Sequence, residues 1–211
     1  KIICAKDVRM CPNVLFFGSL IILPCRQKEI LKIVKECGLW MAFDLAGCAA
    51  FNHGEIFFTS DTHFCHNKEF LYSGRGFSSI EEHDEELVKR WNEVVGNNDI
   101  VIHLGDICLN DNEKAMTYIQ RLNGTIYWLC GNHDTDVRVH TLCKNCENVR
   151  MFDGNAYAQL CKYRKLLLYC SHYPTYTGNV DDKPFSQHIT NLHGHTHSLT
   201  PWFDSNYPFM Y

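Results

Sequence analysis

The stretch Thr125-Ile126-Tyr127-Trp128-Leu129-Cys130-Gly131-Asn132-His133-Asp134 decides how this chain is read. Its first six residues form an apolar run of strand length, the pattern of a buried strand. The glycine that follows permits a sharp turn and the close approach of a ligand to the backbone. An amide and an imidazole then stand side by side at the strand's carboxyl end, where open α/β sheets carry their sites. Four more apolar strands deliver metal-ligating residue types in the same way. Residues 55–60 lead to Asp61-Thr62-His63, and residues 99–104 to Gly105-Asp106. Residues 166–170 lead to Ser171-His172, and residues 189–192 to His193-Gly194-His195-Thr196-His197. Side chains two apart at a strand end project to one side, so Asp61 and His63 reach the same ion.

Helical segments separate these strands. Residues 78–95 carry the stripe Ile80, Leu87, Trp91, Val94 and Val95, with Ser79 as a cap, Glu82 three residues on, and Gly96 as the stop. The run Glu81, Glu82, Asp84, Glu85 and Glu86 reads as a solvated face near the favourable end of the helix dipole. Residues 111–122 form a second helix capped by Asp111, and residues 136–144 a short third one. Residues 157–163 and 165–170 read as a hairpin around Arg164. The β-α-β-α-β order predicts an α/β fold with right-handed crossovers. Residues 1–54 form an N-terminal extension of unknown role, in which 14–23 reads as strand or helix and 26–37 as helix. Extra packing on a sheet edge is the expected use of that extension. The chemistry belongs to a domain over residues 55–211.

Composition bounds the function. The chain has 211 residues, 45% hydrophobic and 21% charged, enough for one domain with a full core. A net charge of -4 offers no broad basic surface for non-specific nucleic-acid binding. No run approaches the ~18 apolar residues of a membrane span. The apolar run at 14–23 lacks a small-residue cleavage pattern, and Asp44 interrupts the lipoprotein-like Leu45-Ala46-Gly47-Cys48. The twelve cysteines show no repeated framework, and several sit inside apolar runs, which suits reduced thiols and a cytoplasmic setting. Cys143 and Cys146 form a lone CxxC, short of two ligands for a structural zinc. His103 and His193 are expected to pack or orient neighbours, and His53, His83, His140 and His188 to lie on the surface or in loops.

The five strand ends together supply Asp61, His63, Asp106, Asn132, His172, His195 and His197. This mixed nitrogen and oxygen set suits Mn, Fe, Zn, Ni or Co, Mn favoured, over a thiolate zinc site. Seven ligands exceed the need of one ion and serve two divalent ions if a carboxylate bridges them. In order and strand context, these blocks resemble the calcineurin-like metallophosphoesterase superfamily across residues 55–198. The stretches Asp61–His66, Trp91–Val95 and His103–Asp106 are similar to its small, single-domain bacterial and phage-type members.

That resemblance implies a four-layer α/β/β/α sandwich of mixed sheets with a dinuclear site at the strand carboxyl ends. It implies Asp61, His63, Asp106 and His197 at the first metal, and Asp106, Asn132, His172 and His195 at the second, with Asp106 bridging. Hydrolysis would proceed by attack of a bridging hydroxide at phosphorus. His133 would stabilise the charged transition state or protonate the leaving oxygen, and Asp134 would orient a neighbouring imidazole or cap a helix. His66 and Arg75 are the expected contacts to substrate phosphate. Cys65 replaces a glycine common in the small members. This predicts a less tightly turned loop and a thiol able to reach the metals. Short spacing between motifs predicts no large cap, and so a phosphodiesterase acting on a small phosphate ester or nucleotide, with nucleic acid open as a substrate. A phosphomonoesterase, a nuclease and a non-catalytic scaffold on the same fold are the alternatives. A Cys-based redox protein would require more CxxC pairs.

Overall fold

A computed structural model describes residues 21–23, 43–45, 54–152, 157–164, 166–175 and 189–197. In chain order its strands are β1 (Ile21–Leu23), β2 (Phe43–Asp44), β3 (Ile56–Thr59), β4 (Ile100–His103), β5 (Thr125–Trp128), β6 (Val149–Met151), β7 (Ala158–Tyr163), β8 (Leu166–Ser171) and β9 (Ile189–Leu192). The helices are α1 (Glu69–Gly74), α2 (Ile80–Val94), α3 (Asn112–Ile119) and α4 (Asp136–Asn145).

The strands form two mixed sheets, in the orders β1-β3-β4-β5-β6 and β2-β7-β8-β9. In the first, β3 to β6 run parallel and β1 joins antiparallel at the edge. Parallel strands are covered on both faces, which is why these segments are near-continuous apolar runs. Phe57, Val101, Ile126 and Val149 face one side and pack with Val88, Ala115, Ile119 and Leu142 of the helices. Ile56, Phe58, Ile100 and Ile102 face the other and pack with Cys161, Leu168, Cys170 and Leu192 of the second sheet. The described residues thus form three layers, helix, sheet and sheet. The second helical layer expected from the resemblance is not among them.

Among the described residues ahead of position 55, one short strand joins each sheet. β1 pairs with β3, β2 pairs with β7 in parallel, and Leu45 is fully buried between the sheets. The helix expected over 26–37 lies outside the described residues, as do His53 and His188. Both β6 and α1 carry too little pattern to be read from sequence: β6 has three residues and α1 six.

Register places the motifs at one level. Thr59 pairs with His103 and His103 with Trp128, so the three strands end together and their following loops sit side by side. Cys170 pairs with Leu192 in the second sheet, which aligns the His172 and Gly194 loops. The first two loops then zip together, the N–H groups of Asp61, His63 and Phe64 donating to the carbonyls of Gly105, Asp106 and Ile107 at 3.0 Å each.

Candidate metal centre

Two glycines allow the loops to close on one another. A Cβ on Gly131 would lie 2.2 Å from Asp106 Oδ1, and one on Gly194 would lie 1.8 Å from Ser60 Oγ. Their absence of a side chain is what lets β5 and β9 deliver their motifs against the Asp106 and Asp61 loops. Left-handed φ angles concentrate in the same place: Asp61 (54°), His63 (53°), Cys65 (61°), Asp106 (56°), His195 (66°) and His197 (48°). Each costs an L residue roughly 1–2 kcal/mol. Strain of this kind clusters where function demands a geometry.

The donor atoms converge in two groups. In the first, His197 Nε2 lies 3.1 Å from Asp61 Oδ1 and 3.2 Å from His63 Nε2, and His63 Nε2 lies 3.6 Å from Asp61 Oδ1. In the second, Asn132 Oδ1 lies 2.8 Å from His172 Nε2 and 3.0 Å from His195 Nδ1, with the two histidine nitrogens 3.2 Å apart. Asp106 Oδ2 stands between the groups, 3.8 Å from His63 Nε2 and 3.5 Å from His172 Nε2. Ligand atoms sharing an ion through bonds of roughly 2.0–2.2 Å stand about 3–3.5 Å apart. With their lone pairs turned inward, atoms at such distances would repel one another unless a cation lay between them. The donor set therefore fits two divalent ions.

Protonation favours the same use. Metal-ligating imidazoles must be neutral. Burial pushes His63 and His195 below the ordinary histidine value. Burial opposes ionisation of Asp61, yet hydrogen bonds with His197, His63 and Ser60 outweigh it and hold the carboxyl well below its usual range. Asp61 Oδ2 accepts from Ser60 Oγ and from the His195 main-chain N–H (2.5 and 2.9 Å), leaving Oδ1 for an ion. His172 Nδ1 donates to the Leu104 carbonyl at 2.8 Å, which frees Nε2 to ligate.

Residues 54–211 match the family model described as calcineurin-like phosphoesterase. The chain belongs to this family of phosphoesterases. It is 36% identical over 146 residues to an uncharacterized protein of Methanocaldococcus jannaschii, covering 68% of this chain and 70% of that protein. It is 26% identical over 162 residues to the gene 66 protein of Mycobacterium phage D29, covering 68% and 78% respectively. A crystal structure of a protein of unknown function from Aquifex aeolicus superposes with a TM-score of 0.45 at 23% identity, covering 63% of this chain and 67% of that one.

Other residues of this phosphoesterase stand as follows. His133 is exposed, with Nε2 3.9 Å from Asp106 Oδ2. His66 is half-buried, its ring 5.2 Å from that of His63 and 6.0 Å from that of His133; burial lowers its pKa to about 4. Arg75, expected at the substrate, is buried, and its guanidinium donates to the main-chain carbonyls of Asp61 and Thr62. Among the described residues Asp134 orients no imidazole, and Thr135 caps α4 in its place. Its Oδ2 instead accepts from the N–H groups of Asp106 and Gly131 and from the Trp128 indole, at 2.7, 2.8 and 3.2 Å. It ties the second and third motif loops together, and burial pushes its carboxyl up to about 6.

Four further expectations are corrected. Cys65 adopts the left-handed backbone that glycine favours, and the loop turns tightly through it, the N–H groups of His66 and Asn67 donating to the carbonyls of His63 and Cys65. Its thiol is buried in the helix-side core and burial pushes it up to about 12, so it supplies no thiolate to a metal. His83 and Asp84 are fully buried, where a surface histidine and a solvated carboxylate were expected. The acidic run around Asp84 masked both, since its four glutamates are partly or fully exposed and only Asp84 points inward. Of the other histidines, His140 is exposed, and buried His103 meets Thr62 Oγ1 at 3.0 Å.

Proposed function

We propose that this chain is a dinuclear-metal-dependent phosphodiesterase, with manganese as the favoured ion and a small phosphate ester or nucleotide as substrate. The observation that carries the reading is the position of Asp106 Oδ2, within 3.8 Å of His63 Nε2 on one side and 3.5 Å of His172 Nε2 on the other. Divalent ions held by these donors would supply an activated water as nucleophile and neutralise charge on the phosphoryl oxygens. Asp61, His63 and His197 would hold one ion and Asn132, His172 and His195 the other, with Asp106 available to both.

The protein's own groups do the rest. The exposed His133 ring stands over the shared carboxylate, in reach of a substrate, and donates a proton at Nε2 towards the leaving oxygen. Its main-chain N–H donates to Asp106 Oδ1 at 2.9 Å, which directs Oδ2 at the centre. His66, beside both His63 and His133, contacts the substrate phosphate. Asn132, His133, His195 and His197 are solvent-exposed among the described residues, an openness that suits an ester substituted on both sides. A cytoplasmic setting accords with the free thiols Cys65, Cys108, Cys130, Cys143, Cys146, Cys161 and Cys170. No helix among the described residues is long and apolar enough to cross a membrane.

The test is hydrolysis of an aryl phosphodiester and its monoester by the purified chain, with Mn, Ni and Zn added separately and Asp106→Asn as the comparison. Faster diester turnover that depends on metal and falls more than about 100-fold in Asp106→Asn is expected, a ligand being worth more than the groups that orient one. Faster monoester turnover would reassign the subclass. Two bound metals without turnover of either ester would point to a scaffold.

A further inference from the structure

Helix α2 carries a buried polar relay that ends on the loop of Asp61 and His63. His83 and Asp84 are each 0% exposed, a setting in which polar atoms need partners. Asp84 Oδ2 accepts the Cys65 main-chain N–H at 2.9 Å, and its Oδ1 lies 2.8 Å from His83 Nδ1. His83 Nε2 lies 2.8 Å from Arg75 Nη1. A guanidinium only donates, so Nε2 is the acceptor and the ring proton sits on Nδ1, donated to Asp84. Arg75 Nη2 donates to the Asp61 carbonyl at 2.8 Å and Nη1 to the Thr62 carbonyl at 3.0 Å. The relay therefore grips the loop at residues 61, 62 and 65. Asp61, His63 and Cys65, at φ 54°, 53° and 61°, occupy a backbone region that persists only where the surroundings impose it.

We propose that the Arg75, His83 and Asp84 relay is the positioning device of the first metal half-site. It holds the 61–65 loop so that Asp61 Oδ1 and His63 Nε2 converge with His197. The second half-site takes Asn132, His172 and His195 from the loops after β5, β8 and β9 and meets the 61–65 loop only through the Asp106 backbone and the His195 N–H on Asp61 Oδ2, so it feels the relay less. The proposal rests on the dinuclear reading above and adds three residues that touch neither ion.

Relay chemistry makes Asp84→Asn informative. An asparagine presents one acceptor and one donor where two acceptors are required. Whichever way the amide turns, and whichever tautomer His83 takes, one donor faces another.

The experiment is calorimetric titration of Mn(II) into the 211-residue chain and into Arg75→Met, Arg75→Lys and Asp84→Asn. Two sites are expected in the wild type. In Arg75→Met and Asp84→Asn one weakens about 10–100-fold while the other stays within about threefold. Lysine restores a donor without the planar fork, so Arg75→Lys recovers part of the loss. Adding Arg75→Met to His63→Ala costs nothing further, because both act on one half-site. Unchanged affinities, or equal weakening of both sites in step with lost thermal stability, would overturn the proposal.

A second measurement needs no metal. Amide exchange at Cys65 is expected to be about tenfold faster in Arg75→Lys than in the wild type; equal exchange would count against the relay. Absence of turnover in the wild type would overturn the phosphodiesterase reading while leaving both measurements readable, so the two ideas fail separately.

Discussion

Asp106 Oδ2 stands between the two groups of donors, and His133 is coupled to Asp106 through the backbone as well as through space. The His133 main-chain N–H to Asp106 Oδ1 survives any change of side chain. His133→Ala is therefore expected to keep both metals and lower kcat by about 10²–10⁴-fold, the usual worth of a positioned proton donor. Metal content by elemental analysis beside steady-state kinetics checks this, and loss of one metal would make His133 a ligand. The seven donors were legible in the sequence because each follows a recognisable strand and belongs to a narrow set of residue types. Arg75 was not. A guanidinium suits phosphate and carbonyl equally well, and only the path of the 61–62 backbone brings two carbonyls to its fork. Asp84 was hidden for a related reason: a carboxylate in an acidic helix start looks solvated until a buried N–H, here that of Cys65, is found to need it.

At the scale of the element, the long helices were read well because capping and amphipathicity are local. Ser79 caps α2 by accepting the Glu82 N–H at 3.1 Å, and Asp111 caps α3 by accepting the Lys114 N–H at 2.9 Å. Ser79→Ala is expected to cost ~1 kcal/mol. That lowers the melting temperature by about 2–4 °C in a chain of this size. Thermal unfolding followed by circular dichroism would show it, and no shift would mean that Glu82, which also accepts from Ser78 Oγ and N–H, carries the cap alone. Because α2 also bears the relay, fraying at its start stops short of Asp84, and metal affinity should not move with the melting temperature. β6 illustrates what local signals miss. Val149, Arg150 and Met151 become a strand only through pairing with Ile126, Tyr127 and Trp128.

For the whole molecule, the decisive event is the stacking of two sheets whose strand ends meet at one edge. Leu45 belongs to that interface, buried with Ile56, Phe58 and Leu168. Leu45→Ala is expected to cost about 2–5 kcal/mol by transfer and cavity terms. Denaturant unfolding would measure it, and a loss below about 1 kcal/mol, the level of an ordinary surface change, would return residues ahead of position 55 to a peripheral role. The amino-acid sequence by itself determined the motif-bearing strands, the longer helices, the metal-ligating residue types and their order along the chain. These follow from hydrophobic period, turn chemistry and residue identity, all readable within a dozen neighbours. Only the tertiary structure decided which oxygen of Asp106 faces both groups of donors, why Asp134 clamps two loops, and how a buried arginine holds the first motif. The centre as a whole also rests on contacts between residues up to 136 positions apart, such as the approach of His197 to Asp61. Contacts of that span exist only once both sheets have closed on each other, and no local pattern encodes them.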